Sequence, residues 1–277
     1  MGGTLYVVAT PIGNREDLSP RAARILCTAA TVYAEDTRSL ARLGATVAGV
    51  VRSLFDHNEA ARVEEVLARL TAGEDVALVS EAGTPGVSDP GFRVVRAAVE
   101  AGLRVAAVPG PSAVVAALVV SGLPTDAFRF GGFLPRTSAE RRRVLRDVER
   151  ERATLVWFDS PHRIGDTLAD VEAVLGDRPV AVARELTKLH ETVYRGRASE
   201  VRAALGETVK GEVTLVVGGR LEEGATAEAQ AAALAEAVRA ALARGASVKD
   251  AADEAAGTLG VPRKAAYRLA LRLSRRG

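Results

Sequence analysis

SEAGTPGVSDPG, Ser80 to Gly91, decides the reading of this chain. Gly83, Gly86 and Gly91 open the backbone, while Pro85 and Pro90 stiffen it. Glu81, Ser88 and Asp89 lie among them, so the stretch is too rigid for a linker and too polar for a core. It follows DVALVS (Asp75 to Ser80), a short β-branched run that reads as a buried strand. A loop with special backbone needs at the carboxyl end of such a strand occupies the place where α/β proteins bind ligands.

Working outward, LYVVA, RVAAVP, ATLVWFD, PVAVARE and EVTLVVGG read as further strands, with TVYA as a shorter one. PRAARILCTA, NEAARVEEVLARLTAG and GFRVVRAAVEAG between them carry apolar residues at helical spacing, with Gly73 and Gly102 placed as stops. The alternation predicts an α/β fold with largely parallel sheets. A turn-rich break at Ser121–Phe128 separates two such series, predicting an N-terminal α/β domain over 1–121 and a second over 122–221, with a cleft between them. A helical appendage is predicted over 222–277. Its alanine-rich helix is followed by two shorter ones around a connection at Gly257–Val261, the outline of a helix-turn-helix.

The chain has 277 residues, 48% of them hydrophobic, and a net charge of +2. That length predicts more than one domain. No stretch has the length of a membrane span and the N-terminus has no basic region before an apolar one, which predicts no membrane partner. The single cysteine, Cys27, suits a reducing cytoplasm and, falling in an apolar helical pattern, is predicted to be core. His57, His162 and His190 are too scattered for a metal site, so none is predicted. The tail concentrates Arg263, Lys264, Arg268, Arg272, Arg275 and Arg276 with no acid after Glu254. It reads either as a solvated helix face or as a patch for a polyanion. Arg15, Arg21, Arg136, Arg141, Arg142, Arg143 and Arg163 have the same two readings: a track for RNA phosphates, or an exposed helix paired with Glu149 and Glu151.

Four strand ends carry loops of this special kind: ATPIGN, AEDTR, SEAGTPGVSDPG and VPGPSA. There is no GxxxxGK[ST] and no GxGxxG after the first strand, which argues against a nucleoside triphosphate or a dinucleotide. Glycine alternating with proline presents fixed carbonyls and amides rather than a nest of amides, which fits a flat, uncharged or cationic molecule.

These motifs, with GLPTDAFRFGGFLPR, FDSPHRI and RELTKLHE, resemble the bacterial ribosomal RNA ribose methyltransferases that act on a cytidine of the small subunit, within the tetrapyrrole methylase superfamily. The resemblance runs from about Thr4 to Gly219, and the helical segment matches an appendage of many members. It implies S-adenosylmethionine as methyl donor, 16S ribosomal RNA in the small ribosomal subunit as partner, a homodimer and a cytoplasmic location. It further implies that Pro11, Gly83, Thr84, Pro85, Val87, Ser88 and Asp89 border the donor. Pro111, Ser112 and Ala113 would form a second wall, and Phe158, Ser160 and Leu189 would close the cleft from the second domain. Family members often carry aspartate where this chain has Glu81.

The reaction implied is in-line displacement of the methyl group by a ribose 2'-oxygen, in which positioning and late proton removal help. Glu35, Asp36, Glu81, Asp89, His162 and Lys188 are candidates for proton acceptance, and AEDTR favours Asp36 with Arg38, beside Glu35, for a catalytic or substrate role. Asp36 also reads as a helix N-cap. Two further readings stay open: methylation of a tetrapyrrole or other small molecule, against which the first loop lacks GxGPGD, and a non-catalytic RNA-binding protein that keeps the donor fold.

Overall fold

The structure is a computed structural model that describes residues 2–55, 57–206, 209–220 and 227–274, the backbone alone over 227–230. The chain divides into two compact units, Met1–Arg220 and Leu221–Gly277.

The larger unit holds two five-stranded sheets. The first is built from β1 (Thr4–Val8), β2 (Thr31–Ala34), β3 (Val50–Ser53), β4 (Val76–Val79) and β5 (Arg104–Val108), all parallel, in the order β3-β2-β4-β1-β5. Helices α1 (Pro20–Thr28) and α2 (Thr37–Arg42) cover one face, packing Ala22, Ile25, Leu26 and Leu40 against Val8, Val32 and Val79. Helices α3 (Glu59–Thr71) and α4 (Phe92–Glu100) cover the other, packing Val66, Leu70, Val94 and Ala98 against Leu5, Tyr33 and Leu78. α1 begins where the sequence signals it: Ser19 Oγ accepts the Ala22 N–H at 3.1 Å, and Pro20 takes the first helical position. Cys27 is exposed, contrary to the core position expected. The buried stripe of α1 is Ala22, Ile25 and Leu26, and one further residue turns the side chain about 100° away from it.

The second sheet contains β6 (Phe128–Phe133), β7 (Thr154–Asp159), β8 (Pro179–Arg184), β9 (Thr192–Arg197) and β10 (Val213–Val217), in the order β6-β7-β10-β8-β9. Only β6 and β7 are parallel; the other three pairings are antiparallel, which corrects the expectation of two largely parallel sheets. The connection Glu185–Glu191 is too short for a crossover, so β9 must turn back on β8. Helices α6 (Ser138–Asp147), α7 (Ile164–Leu175) and α8 (Ala198–Ala204) cover one face.

The other face is covered by α5 (Ala113–Ser121), which follows β5 in sequence. Val114, Ala117 and Leu118 of α5 pack on Val156, Ala181, Ala183 and Val216. An element of the first series thus completes the core of the second, which fixes the loops after β1 and β5 against the second sheet.

α6 is exposed over most of its length, as one of the two readings had it, but Arg141 and Leu145 turn inward. Arg141 is buried and donates from Nε to Asp170 Oδ2 at 2.7 Å, while Arg142 Nε reaches Asp170 Oδ1 at 2.6 Å. Glu151 lies 4.0 Å from Arg129, and the Glu149 carbonyl accepts from Arg178. Arg141 therefore leaves the candidate RNA track: its charge is consumed inside the fold.

The smaller unit has α9 (Ala227–Ala243), α10 (Val248–Leu259) and α11 (Arg263–Ser274) around Leu234, Val238, Ala252, Ala255, Ala266 and Ala270. Gly257 lies inside α10, and the turn is confined to Gly260–Pro262, shorter than the sequence suggested. Gly260, with φ +63°, supplies the left-handed residue that ends α10. Arg275 and Arg276 of the basic tail lie outside the described residues.

Candidate active site

The carboxyl ends of the first sheet's strands bring four loops together. The Ser80–Gly91 loop is tied at three points. Thr10 N–H donates to the Gly83 carbonyl at 2.8 Å and Gly83 N–H returns to Thr10 at 3.1 Å, so the loops after β1 and β4 form a small antiparallel bridge. Thr84 Oγ1 donates to the Pro111 carbonyl at 3.0 Å, joining the loop after β5. At the far end, Glu59 Oε1 accepts the Gly91 N–H at 3.0 Å and the Arg93 N–H at 2.8 Å.

Glu59 carries no mark in the sequence that singles it out. It is 5% exposed and caps α4, whose own N-cap residue, Gly91, has no side chain to do so. Gly91 has φ +129°, and a Cβ there would come 2.8 Å from Leu78 Cδ2. Ser88 also has positive φ, 63°, unusual for a side-chain-bearing residue and a sign that the loop is held in shape.

The second half closes in from the other side. A Cβ on Gly13 would meet Lys188 Cγ at 2.5 Å and Thr187 Oγ1 at 2.8 Å, so the ATPIGN loop lies directly on the turn after β8. A Cβ on Gly132 would lie 3.5 Å from Ser88 Oγ, which places β6 beside the Ser80–Gly91 loop. Phe158 stacks edge-on with Phe130 at 5.0 Å and lies 5.2 Å from Phe133. Phe133, 63% exposed, also lines a cleft of about 630 Å³ together with Pro135, Arg136, Ser160 and His162. The sequence points to Phe158 and Ser160; Phe133, within GGFLP, is added by the structure.

Of the residues expected from the sequence, Pro11, Gly83 and Pro85 are buried in the loop base, while Val87 and Ser88 are exposed on its crest with Asp89 half-buried beside them. Ser112 and Ala113 stand at the N-terminus of α5, with no side-chain cap from Ser112. Leu189, 93% exposed, projects from the turn between β8 and β9.

The acidic candidates separate by their bonding. Glu35 Oε2 accepts the Glu81 N–H at 3.1 Å, linking the ends of β2 and β4. Asp36 caps α2 and holds the Arg38 guanidinium with both oxygens, at 3.0 Å from Nε and 2.9 Å from the terminal nitrogen. These hydrogen bonds from Arg38 keep the Asp36 carboxyl below the usual carboxylate range, so it is a weak proton acceptor and a good anchor for Arg38. Lys188 is half-buried, and although burial opposes its charge, hydrogen bonds to Glu185 and Glu212 push its pKa up; it stays protonated.

The site suits a donor such as S-adenosylmethionine on two observations. Thr10 Oγ1 and Thr187 Oγ1, in the loops after β1 and β8, are buried with no hydrogen-bond partner, the kind of unsatisfied polar atom that marks a ligand site. The aromatic pair and the proline-stiffened loop supply flat apolar surface. Among the described residues, no group of three His, Cys, Asp or Glu is placed to hold a metal ion.

The family described as Tetrapyrrole (Corrin/Porphyrin) Methylases matches residues 4–202, and the RsmI C-terminal HTH domain matches 228–274. The chain is 46% identical over 259 residues to "Ribosomal RNA small subunit methyltransferase I" of Mycobacterium tuberculosis, covering 92% of this chain and 89% of that one. It is 45% identical to the protein of that name from Xylella fastidiosa, with 96% and 98% covered, and 41% identical to that of Synechocystis, with 99% and 100% covered. Among solved structures it is similar to uroporphyrin-III-C-methyltransferase from Thermus thermophilus, with TM-score 0.53, 25% identity and 78% of this chain and 94% of that chain covered. It is also similar in fold to the methyltransferase CobJ, with TM-score 0.61, 18% identity and 79% and 95% covered.

Proposed function

Because the chain belongs to the tetrapyrrole methylase family, and within it to the ribosomal RNA small subunit methyltransferase I proteins, we propose that it methylates the 2'-oxygen of a cytidine ribose in 16S ribosomal RNA of the small subunit, with S-adenosylmethionine as donor. The observation that carries this reading is identity of 41% or more to proteins of that name along essentially the whole chain, appendage included. The four loops support it, since hydrogen bonds gather them at one edge of the first sheet.

The donor's sulfonium makes the methyl group electrophilic when it is bound. The chain's own part is to hold and to exclude. The Thr10–Gly83 bridge, the Thr84–Pro111 bond and the Glu59 cap fix the backbone that borders the donor. Phe130, Phe133 and Phe158 keep one wall apolar. Alignment of the ribose oxygen with the methyl carbon then supplies much of the acceleration. Arg38, fixed by Asp36 and 81% exposed, faces outward from the strand ends as an anchor for an RNA phosphate, with Glu35 holding the adjoining Glu81 backbone.

The smaller unit fits the same substrate. On α11, Lys264, Arg268 and Arg272 recur at helical spacing and are exposed, with Tyr267 45% exposed between them. Arg263 is paired with Asp253 and is set apart from that face. A basic helix face with an exposed aromatic suits phosphate contact and base stacking. The homodimer the family implies has apolar surface available to it: Val115 and Val119 of α5 are 51% and 66% exposed.

The test is transfer of labelled methyl groups from S-adenosylmethionine to small ribosomal subunits from a strain lacking this gene. Saturable incorporation into RNA is the expected result. Donor binding by calorimetry without any incorporation would redirect the assignment to a small-molecule acceptor.

A further inference from the structure

A second concave site lies on the opposite side of the first sheet from α3 and α4, away from the strand-end loops. In parallel pairing, Thr4 is in register with Arg104 and Tyr6 with Ala106, so the four side chains share one face. That face is the one packed by α1, because Tyr6 belongs to the α1 cluster while Val105 belongs to the α3 and α4 cluster. β5 is an edge strand, so a groove of about 280 Å³ is left between it and α1. Arg21, Arg24 and Thr28 line the helix side at helical spacing, and Arg104 lines the strand side.

Charge in this groove is not balanced. Arg21, Arg24 and Arg104 have exposed side chains with no carboxylate partner among the described residues. The single acid in the lining, Asp75, accepts the Thr4 N–H at 2.8 Å through Oδ1, so its charge is directed to the backbone. Some other arginines of the unit have their charge met inside the fold, as Arg62 and Arg69 do with Glu65 and Arg141 with Asp170. Three guanidinium groups left unpaired around one concavity, with the Tyr6 side chain beside them, make a site for phosphate oxygens, while the Thr28 hydroxyl donates to the Arg24 carbonyl at 3.0 Å. Arg21 and Arg24 stand about 4.5 Å apart along the helix axis, so they can engage one phosphate or two neighbours.

We propose that the α1–β5 groove binds the phosphate backbone of the RNA substrate at a point remote from the methylated nucleotide, a register contact that reads no base; this rests on ribosomal RNA being the acceptor. An open, solvent-facing groove on a sheet edge admits a continuous strand, which favours backbone phosphates over a small phosphorylated compound.

The experiment compares the full chain with Arg21→Gln, Arg24→Gln, Arg104→Gln and the triple variant. Binding to small subunits from the gene-lacking strain is measured across a salt series, donor binding by calorimetry, and binding of inorganic pyrophosphate by calorimetry as a separate arm. The triple variant is expected to lose tenfold or more in subunit affinity and about two to three units of the slope of log K against log salt, with donor binding unchanged. Arg→Lys versions should recover most of the slope, which separates lost charge from lost packing. Unchanged affinity and slope in the triple variant, while the wild type still methylates the subunit, would overturn the groove and leave the functional reading intact. Tight pyrophosphate binding lost in the triple variant without any change in RNA affinity would also overturn it, in favour of a small phosphorylated ligand. Loss of affinity and slope in the triple variant, together with a wild-type chain that binds subunits yet transfers no methyl group, would support the groove and count against the methylation reading.

Discussion

Glu59 shows how one side chain can set the shape of a binding loop from outside it. Its carboxylate takes both the Gly91 and Arg93 N–H groups while almost fully buried. Glu59→Ala leaves those donors unsatisfied, at a cost of about 1–3 kcal/mol for each buried group. Calorimetry should show donor affinity reduced tenfold or more, while Glu59→Gln, which keeps an acceptor oxygen, should fall between it and the wild type. Asp36→Ala releases Arg38 and removes the α2 cap; turnover on subunits should drop while donor affinity stays, and unchanged turnover would remove Asp36 from the site. Asp170 is a different case: it holds Arg141, which in turn donates to the Pro135 and Arg136 carbonyls. Burial pushes its pKa up, but hydrogen bonds from Arg142, Ser138 and Arg141 outweigh burial and hold it below the usual range. A carboxyl depressed on folding contributes stability that is complete above about pH 4, its unfolded range, and is lost as pH falls through the lower folded value. Asp170→Asn strands Arg141 and should cost about 3–5 kcal/mol by urea unfolding at pH 7, with a smaller difference in acid.

At the scale of elements, a glycine decides how closely β6 can lie on β7. Gly131 lies where a Cβ would come 2.2 Å from Trp157 Nε1, so Gly131→Ala must push β6 away from β7. Weakened donor binding with the far-UV spectrum preserved is the expected outcome; an unaffected variant would show that the β6 approach is not needed. The donor-loop strands and their glycine-proline loops were legible because buried β-branched runs and φ-restricting residues leave a strong local mark. β3 and β9 were not, because each is the outermost strand of its sheet and carries no fully buried residue. The direction of the second sheet was also hidden. α5 covers one of its faces and α6 to α8 the other, so its central strands are apolar throughout, as in a parallel sheet. Glu59 was invisible for a different reason: an acid in the first turn of a helix, as in NEAARVEEV, ordinarily serves only the helix dipole. Of the arginines, sequence alone could not separate Arg141, folded inward, from Arg21, left unpaired at the surface.

For the whole molecule, the proposed function divides the work between the two compact units: the larger holds donor and ribose, the smaller adds affinity for RNA. A chain ending at Gly224 should bind S-adenosylmethionine with wild-type affinity and lose RNA affinity, with a shallower salt dependence; equal loss of both would contradict that division. The most direct test of the central claim is to map ribose methylation in 16S ribosomal RNA by resistance to alkaline cleavage, in small subunits from the gene-lacking strain before and after incubation with this protein and S-adenosylmethionine. One new resistant position, at a cytidine, is the predicted result. An unchanged cleavage ladder, with donor binding intact, would contradict it.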